Sequence, residues 1–240
     1  MVDDARRGFA PRADAIAAID ASWRSPRIVQ RKVGAWMRAS HISYTGTLKR
    51  AIDVVGAVLL LVVAAVPMVL IAIAVRVSLG RPVIFRQIRV GQHGRLFTVY
   101  KFRTMLGDRR VRQFELKDVD RRASHKCDDD PRLSPLGRRL RRWSLDELPQ
   151  LWNVIRGDMS LVGPRPELPL LVDSYAPWQH ERHDVKPGLT GFWQVYARGE
   201  SVMHERTDLD IAYVRGISLR TDLKILLLTI PAIVGLKRGY

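Results

Sequence analysis

"VVGAVLLLVVAAVPMVLIAIAV", residues 54–75, runs for 22 residues without a charge. At about 1.5 Å per helical residue, such a run reaches across a hydrocarbon core of roughly 30 Å. A soluble core helix is rarely so uniformly apolar, so the segment is read as membrane-embedded. Two details argue against a simple crossing. Pro67 sits in the middle, where it removes a helix hydrogen bond and kinks the helix. Both flanks are basic: Lys49 and Arg50 precede the run, and Arg76, Arg81, Arg86 and Arg89 follow it. Positive charge stays on the cytoplasmic side, so the pattern predicts a segment that enters the membrane, bends near Pro67 and returns. Backbone at depth must satisfy its polar groups locally, which favours a proline kink over an open loop. Asp53, just inside the basic edge, is expected to pair with Arg50 three residues earlier.

The rest of the 240-residue chain has room for one sizeable core and an appendage. Forty Lys and Arg against 24 Asp and Glu leave a formal charge of +16. That excess predicts an anionic partner: nucleic acid, an acidic membrane face or phosphorylated small molecules. A lone cysteine, Cys127, excludes an intrachain disulfide and a multi-Cys metal site, and fits a reducing, cytosol-facing location. The N-terminus lacks the apolar stretch of a secretory signal. Residues 1–46 are polar, with a helical patch at "ADAIAAIDASW", and are read as an extension without a membrane span, serving regulation or oligomerisation. A second apolar stretch, Ile225 to Leu236, is too short to span and suits an interfacial or core helix.

Between these apolar stretches, "PVIFRQIRVGQHGRLFTVYKFRTM" reads as a β-hairpin around a "GQHG" turn. No Gly-Lys-Ser/Thr follows the glycines, so this is no Walker loop. Strand alternation puts Lys101 and Arg103 on one face and Tyr100 and Phe102 on the other. "CDDDPR" reads as a loop, and "HERH" (His180–His183) lacks the third ligand of a zinc site. "SPLGRRLRRW" predicts a helix from the Ser134-Pro135 start, with Leu136, Leu140 and Trp143 on one face and Arg138, Arg141 and Arg142 on the other.

"WSLDELPQLW" follows, with Asp146 and Glu147 adjacent. Ser144 and Glu147 have capping-box spacing, the structural explanation of Glu147. Pro149 sits badly inside such a helix, so the regular helix is expected to start there and run to Gly157. The residue before a proline favours extended geometry, making Leu148 a boundary. Both carboxylates then lie at a helix mouth, where N–H groups also bind phosphate. Downstream, Pro164-Arg165-Pro166 pins an arginine on stiff backbone, which lowers the entropy cost of aiming it at phosphate.

These segments, with "KRAIDVVGAVLLLV", "LGRRLRRWSLDELPQLWNVIRGDMSLVGPRPEL" and "KPGLTGFWQV", resemble in order and spacing the bacterial monotopic phosphoglycosyl transferases (polyprenyl-phosphate hexose-1-phosphate transferases). The resemblance covers roughly residues 47–240. It implies an α+β monotopic membrane protein: an extension (1–46), a re-entrant, proline-kinked helix (47–80) and a mostly helical cytosolic catalytic domain (81–240) on the bacterial inner membrane. It implies transfer of a sugar-1-phosphate from a UDP-sugar to undecaprenyl phosphate, releasing UMP, with Mg²⁺ as cofactor. Asp146 matches the family's nucleophile and Glu147 its Mg²⁺-associated carboxylate. Arg141 and Arg165, the latter between Pro164 and Pro166, match phosphate ligands, and Lys101 and Arg103 match a basic strand end. Tyr196-Ala197 depart from the family pattern after "Gln-Val", which bears on the sugar pocket. The C-terminal part resembles exopolysaccharide-initiating members, and glucose or galactose is the expected sugar. The rival expectations are a membrane-tethered nucleic-acid binder, for which no recognition motif is present, and an assembly protein indifferent to Asp146 and Glu147. No nucleic acid is expected; a homo-oligomer is compatible.

Overall fold

The computed structural model describes residue 44 and residues 46–106, 132–196 and 206–233. The aspartate run of "CDDDPR" and nearly all of the 1–46 extension lie outside these residues.

The apolar run forms one helix, α1 (Thr47–Leu79), with Pro67 inside it. Its middle is bare: Val62, Val63 and Val66 are each at least 69% exposed. Of its most apolar 18-residue window only 6% is buried. A soluble core helix would bury that face, so water is the wrong solvent for it. The two ends behave differently from the middle. Ala57 and Val75 are fully buried, and both ends dock on the same globular body.

At the C-terminal end, Val75 and Leu79 pack with Phe102 and Leu140, against Val83, Ile84, Leu136, Leu145 and Leu148. At the N-terminal end the contacts are polar. Arg50 donates to Val154 O (2.5 Å) and Ile155 O (2.6 Å). Those carbonyls are among the last of the helix Gln150–Arg156 (α3), at the negative end of its dipole, where backbone acceptors lack a full set of helical partners. Asp53 accepts from Ser160 Oγ (2.9 Å) and Leu161 N–H (3.0 Å), and Lys49 Nζ lies 3.8 Å away. The expected Asp53–Arg50 pair is therefore not formed. Helix geometry turns Lys49, one turn back, toward Asp53, while Arg50 is spent on the neighbouring helix.

The hairpin forms as the alternation predicts. Strands β1 (Ile84–Val90) and β2 (Leu96–Phe102) are antiparallel, in a register from Ile84 opposite Phe102 to Val90 opposite Leu96. Helix α2 (Pro135–Arg142) starts where Ser134 Oγ accepts the Gly137 N–H at 2.9 Å. Leu140 is buried and Leu136 packs beside it, but Trp143 is 44% exposed. A one-turn 3₁₀ helix, Leu145–Glu147, leads into α3 (Gln150–Arg156), whose C-terminus closes at Gly157 in left-handed geometry (φ 91°). Leu148 corrects the expected boundary: it is helical (φ −51°, ψ −38°), and its carbonyl accepts from Leu151. The preference of a pre-proline residue for extended backbone is overridden by packing, since Leu148 seats against the Val75–Leu79 cluster.

Short strands β3 (Ser160–Val162) and β4 (Gly188–Thr190) pair in parallel. They are preceded and followed by close backbone crossings. A side chain at Gly163 would put its Cβ 2.9 Å from Gly188 N, so only glycine fits just before Pro164. A short helix α4 (Pro169–Val172), a 3₁₀ helix over Pro177–Asp184, α5 (Phe192–Tyr196), α6 (Thr207–Arg215) and α7 (Leu219–Ile233) complete the body. Helix α7 contains the described part of the second apolar stretch. Its Ile225 is fully buried, while Leu223, Leu227 and Ile230 are exposed.

Candidate active site

The 3₁₀ turn carrying Asp146 and Glu147 exists because Ser144 takes a left-handed conformation (φ 55°), which reverses the chain after α2. Ser144 makes no side-chain cap there, so the capping-box explanation of Glu147 does not hold. Glu147 turns inward to cations instead. Its carboxylate accepts from Arg165 through two nitrogens (2.5 and 3.1 Å) and from Lys101 Nζ at 2.7 Å. The two-pronged Arg165 contact fixes direction as well as charge.

Three pieces of backbone bring these groups together. Lys101 comes from the end of β2, held to α3 by Asn153. That side chain accepts from Tyr100 N–H (3.2 Å) and donates to Thr98 O (2.7 Å). Arg165 comes from the Pro-Arg-Pro segment beyond β3. Glu147 comes from the turn between α2 and α3. Asn153 and its role escaped the sequence reading. The trace it left was an amide among the apolar residues of "LWNVI".

Asp146 is buried at 7% exposure and forms no hydrogen bond or ion pair among the described residues. Burial, then the Glu147 charge, push its carboxyl above the usual range, against the pull of Lys101, Arg141 and Arg165. Glu147 goes the other way. Burial raises it, but Arg165 and Lys101 together hold it well below the ordinary carboxylate range. Burial also lowers the Lys101 ammonium, with Glu147 opposing. Two neighbouring carboxylates thus differ: one neutralised by two cations, the other buried without a hydrogen-bond partner among the described residues. That divergence is the pattern that separates chemical roles within a pair.

The remaining expected residues take two positions. Arg141 Nε donates to Thr104 Oγ1 at 3.0 Å, beside the pair. Arg103, two residues beyond Lys101, donates to Leu79 O and, at 2.9 Å, to Arg81 O. Those atoms lie at the C-terminal end of α1 and just past it, so Arg103 ties the strand to the helix. His180 and His183 stack around Tyr175, their ring centroids 5.9 Å apart. Burial holds His183 down to about 4. No cluster of three or more His, Cys, Asp or Glu able to hold a metal occurs among the described residues.

Residues 44–235 match the bacterial sugar transferase family model. The exopolysaccharide production protein ExoY of Sinorhizobium fredii is 40% identical over 200 residues, 81% of this chain and 88% of that protein. The UDP-glucose:undecaprenyl-phosphate glucose-1-phosphate transferase of Escherichia coli is 40% identical over 195 residues, 76% of this chain and 39% of that protein. The undecaprenyl-phosphate galactose phosphotransferase of Salmonella typhimurium is 38% identical over 199 residues, 80% of this chain and 42% of that protein. The match thus spans most of the shorter relative and less than half of the two longer ones. With its long apolar helix and its carboxylate site, the chain belongs to the bacterial sugar transferase family of enzymes.

Proposed function

We propose that the protein transfers a sugar-1-phosphate from a UDP-sugar to undecaprenyl phosphate, releasing UMP, as a first membrane step of exopolysaccharide or related glycoconjugate assembly. One observation carries this reading: Asp146, buried and without a hydrogen bond or ion pair among the described residues, stands beside a Glu147 already neutralised by Lys101 and Arg165. Asp146 Oδ attacks the sugar-bearing phosphorus. The new O–P bond forms as the bond to the UMP oxygen breaks, and UMP leaves with that electron pair. An oxygen of undecaprenyl phosphate then attacks the same phosphorus, the aspartyl O–P bond breaks, and the carboxylate is regenerated. Arg165, Lys101 and Arg141 orient the diphosphate and offset its charge, which is most of what phosphoryl transfer asks of a protein.

The site's donor set suits Mg²⁺, which takes one or two carboxylates and fills its shell with water and substrate phosphate oxygens. Glu147, with Asp146 beside it, would hold the ion. When bound, it supplies further neutralisation of the diphosphate and the leaving oxygen.

A two-step scheme fits a donor arriving from water and an acceptor arriving from lipid. We read α1 as re-entrant with Pro67 at its bend and the body on the cytosolic face of the inner membrane. In support, both of its ends dock on one body and both flanks are basic, while its middle is bare. Single cysteines at Gly46 and Gly80, in a Cys127→Ser background, should then label from the same side of sealed vesicles. Labelling from opposite sides would mean a crossing.

The decisive assay is UMP release with undecaprenyl phosphate across a panel of UDP-sugars, with and without Mg²⁺. Turnover with a UDP-hexose and a donor-derived phospho-sugar trapped on Asp146 are expected. Asp146→Asn retaining most of the activity sinks the covalent step.

A further inference from the structure

The "HERH" segment, no zinc site, contains the largest fully buried side chain of the described residues, that of Arg182, at 2% exposure. A guanidinium is rarely buried without a task, because its charge must be matched on the spot. Asp210 of α6 supplies the match, its Oδ2 lying 2.6 Å from an Arg182 nitrogen. Tyr175 takes a hydrogen bond from the other terminal nitrogen, and its ring lies under the guanidinium, 5.6 Å from centroid to carbon. The remaining contact points at the site. The nitrogen that faces Asp210 also donates to the backbone carbonyl of Arg165, at 2.7 Å.

We propose that Arg182, charged and locked by Asp210 and Tyr175, is a positioning residue that sets the aim of Arg165. Two prolines fix the torsions on either side of Arg165, but torsions alone leave the segment free to shift as a unit. A hydrogen bond to the Arg165 carbonyl from a buried, doubly held guanidinium removes that freedom. The 3₁₀ helix carrying Arg182 is itself fastened at several points. Gln92 in the hairpin turn donates to Asp184 O (2.9 Å), Gln179 donates to Thr207 Oγ1 (3.0 Å), and Arg215 pairs with Glu181 (2.6 Å). The arginine that grips Glu147 is thus referenced to both the hairpin and α6. This inference rests on the transferase reading, in which Arg165 binds the donor's phosphates.

The test is donor kinetics of Arg182→Lys and of the paired replacement Arg182→Met with Asp210→Leu, each alone and combined with Arg165→Ala. Lysine keeps the charge for Asp210 but has one ammonium in place of two terminal nitrogens, so it cannot be held by Tyr175 while it reaches the Arg165 carbonyl. The paired apolar replacement leaves no orphaned charge, so the two variants fold by different routes. About a tenfold loss of kcat/KM for the donor is expected in each, with little change in thermal midpoint for the lysine variant. The losses should vanish in the Arg165→Ala background, because the effect travels through Arg165. Wild-type rates from either folded variant, or losses that multiply with that of Arg165→Ala, overturn the proposal. Absence of turnover by the wild-type protein with every UDP-sugar would instead overturn the transferase reading.

Discussion

Two of the buried charge clusters among the described residues are built to opposite ends. At the root of α1, Lys49 meets Asp222 at 2.6 Å, and Tyr44 and Tyr213 each donate to the same carboxylate (2.7 and 2.8 Å). Lys49 also reaches Val162 O, and the Tyr213 hydroxyl oxygen lies 2.9 Å from that carbonyl, a second acceptor for its one proton. Every charge there is answered, and burial with Asp222 lifts both tyrosine hydroxyls far above their ordinary range. At the carboxylate pair, among the described residues, only Glu147 is answered, and Asp146 is left with a raised pKa. A fully satisfied cluster fixes geometry; a cluster with one unsatisfied member holds reactivity.

Substitutions that separate the two behaviours have a definite ranking. Asp146→Asn should cost at least about 10³-fold in turnover. The same change should leave the thermal midpoint unchanged or higher, since it relieves repulsion with Glu147; calorimetry beside UMP assays reads both. Arg165→Ala should cost about 10²-fold in kcat/KM for the donor. Asp222→Asn should do the reverse, losing about 3 kcal/mol of stability by taking from Lys49 its nearest buried counter-charge, with the kcat of the folded fraction little changed. Denaturant melts in detergent against activity per folded molecule test this, and a large kcat loss at full folding would erase the distinction between the clusters.

The pH dependence carries a sign as well. Asp146 must be ionised to attack, so the acid limb of kcat/KM should lie above the ordinary carboxylate range. Lys101 must stay protonated to bind phosphate, so the basic limb should lie below the ordinary lysine range. Glu147→Gln removes a like charge and frees two cations to face Asp146, so its acid limb should move to lower pH. An acid limb that stays in place would show that Glu147 does not bear on Asp146. The smallest effect is expected from Ser160→Ala, about 1 kcal/mol of stability for one lost hydrogen bond to Asp53, read by the same melts.

What the sequence made legible follows the range of the forces involved. The long helix, the hairpin and the α2 start are local patterns of hydrophobicity and capping, and they form where expected. The grouping of Lys101, Arg165 and Glu147 came from resemblance, and the structure brings those side chains together across 18 to 46 residues of chain. Local rules failed where tertiary packing outweighed them. Leu148 is helical before a proline because the Val75–Leu79 cluster holds it, and Arg50 leaves Asp53 for the end of α3. Arg182, Asp210 and Asn153 were invisible because a buried polar residue looks in sequence like any surface one; only its partners, far along the chain, reveal it.

Arg103 gives the fold an internal ruler. Lys101 and Arg103 sit two positions apart, about 6.6 Å along an extended chain. One grips Glu147; the other grips carbonyls at and just past the end of α1. The height of the carboxylates above the last turn of the apolar helix is therefore set by two peptide units rather than by the distant fold. If α1 lies in the membrane as proposed, the depth of that helix is transmitted to the carboxylates through this short link. A lipid-borne phosphate would meet them at a level decided by how far that helix sinks.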